Sequence, residues 1–116
     1  ALGLFREITS MTEDDLKKRE IIALTSINSV FGTEKDEYGA TLFVSHHIEE
    51  IEPEYWLKHL GTSTPKPVDV LSILQLKSHW DDDCVFDFTL PEDVTDYVVS
   101  VSFGEDGEVD EISMES

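Results

Sequence analysis

Basic residues are scarce in this chain: 8 Lys and Arg stand against 26 Asp and Glu, a formal charge of −18 over 116 residues. A negative field of that size repels phosphate backbones and anionic lipid headgroups, which argues against nucleic acid and membrane surfaces as ligands. Cysteine is nearly absent. The lone Cys84 excludes an intramolecular disulfide framework and any multi-cysteine zinc site. No apolar run approaches membrane-spanning length, and no basic segment followed by an apolar one opens the chain, so a cytoplasmic protein is expected. Catalytic signatures are missing as well. There is no Gly-rich phosphate loop, no Gly-x-Ser-x-Gly elbow and no His-x-x-x-His or Glu-x-x-His pair. Carboxylate pairs are too abundant to single out a glycosidase. The expectation is a protein without catalytic residues, cofactor or bound metal.

What is present is enough for one core. Hydrophobic residues make up 40%, with six Phe, three Tyr and two Trp, and the length suits one domain rather than two. Residues 1–116 therefore read as a single acidic domain.

Residues 2–9 (LGLFREIT) fit a short strand or an arm leading into a helix. Thr12 is a cap candidate, Asp15 sits three residues later near the positive helix end, and Gly32 stands where a left-handed C-terminal residue belongs. Between them Leu16, Ala23, Leu24, Ile27, Val30 and Phe31 recur at helical spacing. Thr25, Ser26, Asn28 and Ser29 weaken the second half, so residues 13–31 read either as one helix or as a helix followed by a strand. After a polar turn at Thr33–Gly39, Tyr38–Ile48 reads as a strand, with Leu42, Val44 and His46 on one face and Phe43, Ser45 and His47 on the other. Pro53 and Pro67 each suit a first helical position, where the missing N–H costs nothing. The first of these short helices runs through Tyr55, Trp56, Leu57 and Leu60 to a stop at Gly61; the second carries Val70, Leu71 and Leu74 on one face.

The last third alternates cleanly. Cys84, Phe86, Phe88 and Leu90 share one face of a strand, and Tyr97, Val99, Val101 and Phe103 repeat the pattern in a second. Asp106-Gly107 is a favourable hairpin dipeptide within the turn Gly104–Gly107, and Val109, Ile112 and Met114 complete a third strand. Val109 and Ile112 have opposite parity, which predicts a bulge between them. The architecture expected is α+β: an antiparallel sheet of about four to five strands, including this three-stranded meander, with two to three helices packed on one face.

Charge is distributed unevenly. Asp81–Ser116 holds 13 Asp and Glu and no Lys or Arg, so the last 36 residues carry −13 of the −18. Asp87 falls on the outward parity of the meander together with Thr89, Ser100 and Ser102. Asp81, Asp82, Asp83, Glu92, Asp93, Asp96, Glu105 and Asp106 fall in its loops. These nine acids are the expected partner-binding residues, with Trp80 and Tyr97 as aromatic anchors of the kind that concentrate in interface hot spots. Structural readings compete at each feature. Asp81-Asp82-Asp83 lacks the twelve-residue calcium-loop pattern and reads as a solvated turn. His46 and His47, adjacent on a strand, would point to opposite faces and share no metal. Cys84, next to the acids, makes a poor nucleophile and reads as a small core residue, as does Trp56 as a large one.

From Trp56 to Ser116 the chain resembles a bacterial family known as domain of unknown function number two thousand and four. The resemblance rests on Leu57–Leu60 (LKHL), a PVDVLSILQL helix at Pro67–Leu76, Phe86-Asp87-Phe88, Val94–Val98 (VTDYV), Phe103–Gly107 (FGEDG) and the ending Ser113–Ser116 (SMES). It implies a small bacterial cytoplasmic α+β protein, and it transfers no catalytic residue. Small acidic proteins of this type are also similar to immunity proteins of bacterial toxin systems. The expected function is accordingly an immunity protein that binds and neutralises a cognate basic, nuclease-type toxin. The alternative is a non-catalytic acidic regulatory or adaptor domain that binds a basic cellular protein.

Overall fold

Alternation in the last third decides which way the sheet faces. Phe86, Phe88 and Leu90, with Val99, Val101 and Phe103 on the neighbouring strand, put six large apolar side chains on one surface, and all six are buried. In the computed structural model, which describes residues 12–116, that surface is covered by four helices: α1 (Glu13–Val30), α2 (Ala40–Glu50), α3 (Pro53–Leu60) and α4 (Pro67–Leu71). The sheet is an antiparallel meander of four strands in sequence order, β1 (Gln75–Trp80), β2 (Val85–Thr89), β3 (Val98–Phe103) and β4 (Val109–Glu115). The α+β reading holds, with four helices among the described residues rather than two to three. The strand or arm expected at residues 2–9 lies outside the described residues.

α1 is a single helix rather than a helix followed by a strand. Thr12 Oγ1 accepts from the Asp15 N–H at 3.1 Å and the Asp15 carboxylate accepts from the Thr12 N–H at 3.3 Å, a reciprocal cap. Ala23 and Ile27 lie against the core, and Gly32 follows the helix at φ +82°. Pro53 and Pro67 open α3 and α4, and Gly61 ends α3 at φ +73°. Trp56 is buried. Val109 and Ile112 both turn toward the core because the register slips by one residue at Asp110: Glu111 pairs with Ser102 and Val109 with Phe103.

Three expectations fail. Tyr38–Ile48 is not a strand. Ala40, Phe43, Val44 and His47 are buried and Ile48 and Ile51 pack beside them, a spacing of about 3.6 residues that no strand reproduces. The helix starts where it does because buried Asp36 turns back on it. Its carboxylate accepts from the Ala40 and Thr41 N–H groups at 3.1 and 2.9 Å and from the Thr41 hydroxyl at 2.7 Å. Gly39 is required beside it, since a Cβ there would strike Asp36 Oδ1 and approach the Ile112 carbonyl to 3.1 Å. The helix expected over Pro67–Leu76 stops at Leu71, and Gln75–Trp80 is an edge strand with a single half-buried residue, Leu76. Cys84 sits half-buried at the margin of the core rather than within it.

Asp36 thus fixes the start of α2 with one buried carboxylate. Asp36→Ala removes three hydrogen-bond acceptor contacts and should lower stability by about 2–3 kcal/mol. A urea titration followed by circular dichroism checks it; a change within error would assign the cap no structural weight.

Candidate functional site

The meander sorts the acids by topology. The β1–β2 turn and the β3–β4 turn lie at one end of the sheet, so Asp81, Asp82 and Asp83 gather with Glu105 and Asp106. The β2–β3 loop is at the other end and carries Glu92, Asp93 and Asp96. The five residues of β2 separate the two groups by about 17 Å, roughly two Debye lengths in physiological salt. The acids therefore form two groups with Asp87 between them on the outward face, rather than one continuous patch.

Part of each group is already engaged. At the first end, Asp83 Oδ1 lies 2.6 Å from His79 Nδ1, and the Asp83 carbonyl accepts from Arg19 Nη1 at 2.8 Å. The Arg19 guanidinium also lies 5.0 Å from the Phe103 ring centre, so α1 is pinned across both turns by one cation. Asp81, Asp82 and Asp83 all take left-handed backbone conformations, with φ of 56°, 54° and 62°. Among non-glycine residues, aspartate is one of the few that tolerates that region. The turn geometry thus accounts for the residue type without a ligand.

At the second end, Glu92 accepts from Lys58 Nζ at 2.7 Å and lies 2.7 Å from His59 Nε2. Hydrogen bonds from Lys58 and His59 hold its carboxyl below the usual range. The Tyr55 hydroxyl donates to the Pro91 carbonyl at 3.0 Å, and burial, helped by the Glu92 charge, pushes its pKa up to about 12. His46 and His47 are neighbours on α2 rather than on opposite faces of a strand, their ring centres 5.1 Å apart. His47 is buried, with Nδ1 2.6 Å from the Phe43 carbonyl and Nε2 2.8 Å from Thr95 Oγ1. The carbonyl can only accept, so Nδ1 carries the proton and neutral Nε2 accepts from the threonine. Tyr97 is half-buried and packs its ring 5.3 Å from His46 and 5.8 Å from His47, so it supports the loop from within.

The outward sheet face is where predicted residues converge. Trp80 Nε1 donates to Asp87 Oδ2 at 3.0 Å, laying an indole that is 54% exposed along the outward side chains of β2. Asp87 Oδ1 is buried and has no hydrogen-bond partner among the described residues. Both line a hollow of about 360 Å³ together with Lys77, Asp96, Val98, Ser100 and Glu115. Trp80, Asp87, Asp96 and the outward placement of Ser100 were legible from sequence; Glu115 was not, because only the strand register brings it alongside Val98. Of the outward-parity residues, Thr89 and Ser100 are buried, and the Thr89 hydroxyl donates to the Tyr97 carbonyl at 3.0 Å. Among the described residues no three His, Cys, Asp or Glu side chains are grouped to hold a metal ion. No helix among them is long and apolar enough to cross a membrane. Comparisons with family models, characterised proteins and solved structures find no match to this chain.

His47 joins α2 to the acidic β2–β3 loop as a neutral, buried ring. Burial is the main cause that lowers its pKa from the ordinary 6.5; the Phe43 carbonyl opposes this and His46 adds to it. The unfolded chain therefore binds a proton more readily. The stabilisation is fully present above about pH 6.5 and is lost as pH falls toward the depressed folded value. The wild-type chain should lose more stability between about pH 7 and about pH 5 than His47→Gln, which keeps a donor and an acceptor without titrating. Urea midpoints at the two pH values decide it; parallel losses would remove His47 from the account.

Proposed function

We propose that this chain is a non-catalytic binding protein for a basic protein partner, and that its outward sheet face around Trp80 and Asp87 receives a cationic side chain of that partner. The observation that carries the reading is the half-satisfied carboxylate of Asp87. One oxygen is held by the indole N–H, and the other is buried beside an open hollow without a protein donor. A buried acceptor left unpaired costs about 1–3 kcal/mol, which a charged donor from outside recovers. The exposed indole offers that cation a ring face, worth about 0.5–2 kcal/mol. Asp96 and Glu115 give the hollow the matching sign of potential.

The class of basic partner that fits best is a nuclease-type toxin domain, with this chain acting as its immunity protein. A nuclease must attract phosphates, so its cleft carries the potential that a −18 chain seeks. The acids at the two sheet ends steer encounter from a distance, while Trp80 and Asp87 form the short-range contact. The resemblance of Trp56–Ser116 to a small bacterial family agrees with this setting, and it rests on the quoted residues alone.

Two measurements test the reading. Immobilised chain should retain a basic protein from its native host, and Trp80→Ala or Asp87→Asn should each weaken that complex by about tenfold or more. Retention of an acidic protein only, or affinity untouched by both substitutions, would overturn it. A retained basic protein without toxicity when expressed alone would make the chain a regulatory domain rather than an immunity protein. In the second measurement, Asp81→Lys with Asp82→Lys should slow association by about tenfold at low salt while leaving dissociation nearly unchanged. Asp83 is kept because His79 and Arg19 use it. An association rate indifferent to these two charges would deny the turn any steering role.

A further inference from the structure

The four strands of the sheet hold a single Lys or Arg, Lys77, and no other follows Lys66 in the chain. Although acids surround it, Lys77 makes no ion pair with a described residue; the ion pairs among them use Lys17, Lys58, His59 and His79. It nevertheless lines the hollow that Asp87, Asp96 and Glu115 share. A slip in register puts it there. Leu76 pairs with Phe88 and Ser78 with Asp87, so Lys77 is the extra residue of a bulge in β1. In an unbroken strand Lys77 and Ser78 would take opposite faces, whereas here both line the outward hollow.

Lys77 is exposed, so the acids near it gain little stability from its charge. Its effect falls on what enters the hollow. A chain of charge −18 attracts every basic surface, and attraction of that range does not tell one from another. Discrimination needs a contact that penalises the wrong partner. One ammonium set among three carboxylates is such a contact. A cation seated on Asp87 and the Trp80 indole comes up beside Lys77; a second cation next to it is repelled, and a carboxylate next to it is paired. Strand order places Lys77 on the β1 side of Asp87, with Ser100 and Glu115 on the β3 and β4 side, so the two charges are read in one direction.

We propose that Lys77 is the specificity-determining residue of the outward face, and that the hollow reads a mixed pair on the partner: a cation for Asp87 and Trp80, with a carboxylate beside it for Lys77. The inference rests on the outward face being the partner site and narrows what that partner presents. Its basic surface carries an acid at the point of contact, and a uniformly basic surface is turned away there.

The probes are two capped peptides of about six residues, one with arginine and glutamate on the same side of an extended backbone, the other with arginine at both places. Each is titrated into the full chain and followed by amide chemical shifts at about 0.15 M salt, where a Debye length of about 8 Å keeps contact-range charges in play and screens the rest. The wild-type chain should bind the arginine–glutamate peptide at least as tightly as the arginine–arginine one, against the pull of its net charge. Lys77→Met should shift the ratio of the two affinities about fivefold or more toward arginine–arginine. Lys66→Met makes the same change in net charge outside the hollow and should shift it by less than about twofold. A wild-type preference for arginine–arginine overturns the mixed pair; a ratio indifferent to Lys77→Met, or moved equally by Lys66→Met, overturns the role of Lys77. Asp87→Asn should weaken both peptides by about tenfold. If it does so while the ratio ignores Lys77, the face still binds cations and this inference alone falls. If neither peptide binds, or Asp87→Asn changes nothing, the outward face is not the partner site and the inference falls with it.

Discussion

One face of the sheet gathers six large, buried apolar side chains, and the rest of the molecule follows from that constraint. Alternation along β2 and β3 sends Phe86, Phe88, Leu90, Val99, Val101 and Phe103 to the same side. Burying each such side chain is worth about 1.5–3 kcal/mol, which outweighs any single surface charge interaction in the molecule. The helices must therefore sit on that side. Every acid of the last third is left with two places to go, the outward face or the turns. The charge map is a by-product of the core before it is anything else.

That map carries a cost which the chain partly offsets. Basic side chains are stationed where the acids are densest: Arg19 across the two turns at one end, Lys58 and His59 against Glu92 at the other, His79 against Asp83. These contacts are half-exposed or exposed, so each contributes little stability by itself. Their larger effect is on placement. Arg19 fixes α1 over the β3–β4 turn, and α3 reaches the β2–β3 loop through Tyr55, Lys58 and His59. His47 then ties the same loop to α2 through Thr95. Asp96, which borders the outward hollow, inherits its position from these neutral and charged links.

How much of this is legible in the sequence depends on whether the signal is local. Strands β2, β3 and β4 announce themselves by parity, down to the slipped residue at Asp110, and α1, α3 and α4 by caps, prolines and Gly61. α2 does not, because Phe43, Val44 and His47 are β-tolerant residues and the cap that starts the helix, Asp36, stands four residues ahead of it in a turn. β1 is polar along nearly its whole length, so a hydrophobic pattern has nothing to register; its place is fixed by pairing with β2. The same difference governs the site. Trp80 and Asp87 are conspicuous one at a time, but their hydrogen bond exists only because the hairpin sets Trp80 opposite Val85, two residues from Asp87. Tyr97 shows the converse: an aromatic flanked by acids reads as an anchor, yet its ring is spent on His46 and His47.

On the proposed reading, the Asp87 carboxylate is what separates this face from one that only keeps the molecule in solution. Solubility needs acids that point into water, as Asp82, Glu105 and Asp106 do. Asp87 departs from that pattern, half-buried at mid-strand with an indole on one oxygen and apolar Val85 and Val98 sharing its face. Burying a carboxylate oxygen there without a donor is unfavourable, and around the same hollow Asp96 and Glu115 add like charge while Lys77 opposes it. A neutral donor would satisfy the free oxygen but leave the repulsion among the three carboxylates in place. A cation relieves both, because it pairs the oxygen and lowers the potential at its neighbours at once. If the face binds a partner as proposed, its geometry therefore favours a charged donor over a neutral one, and the aromatic face beside it favours a planar guanidinium over a compact ammonium.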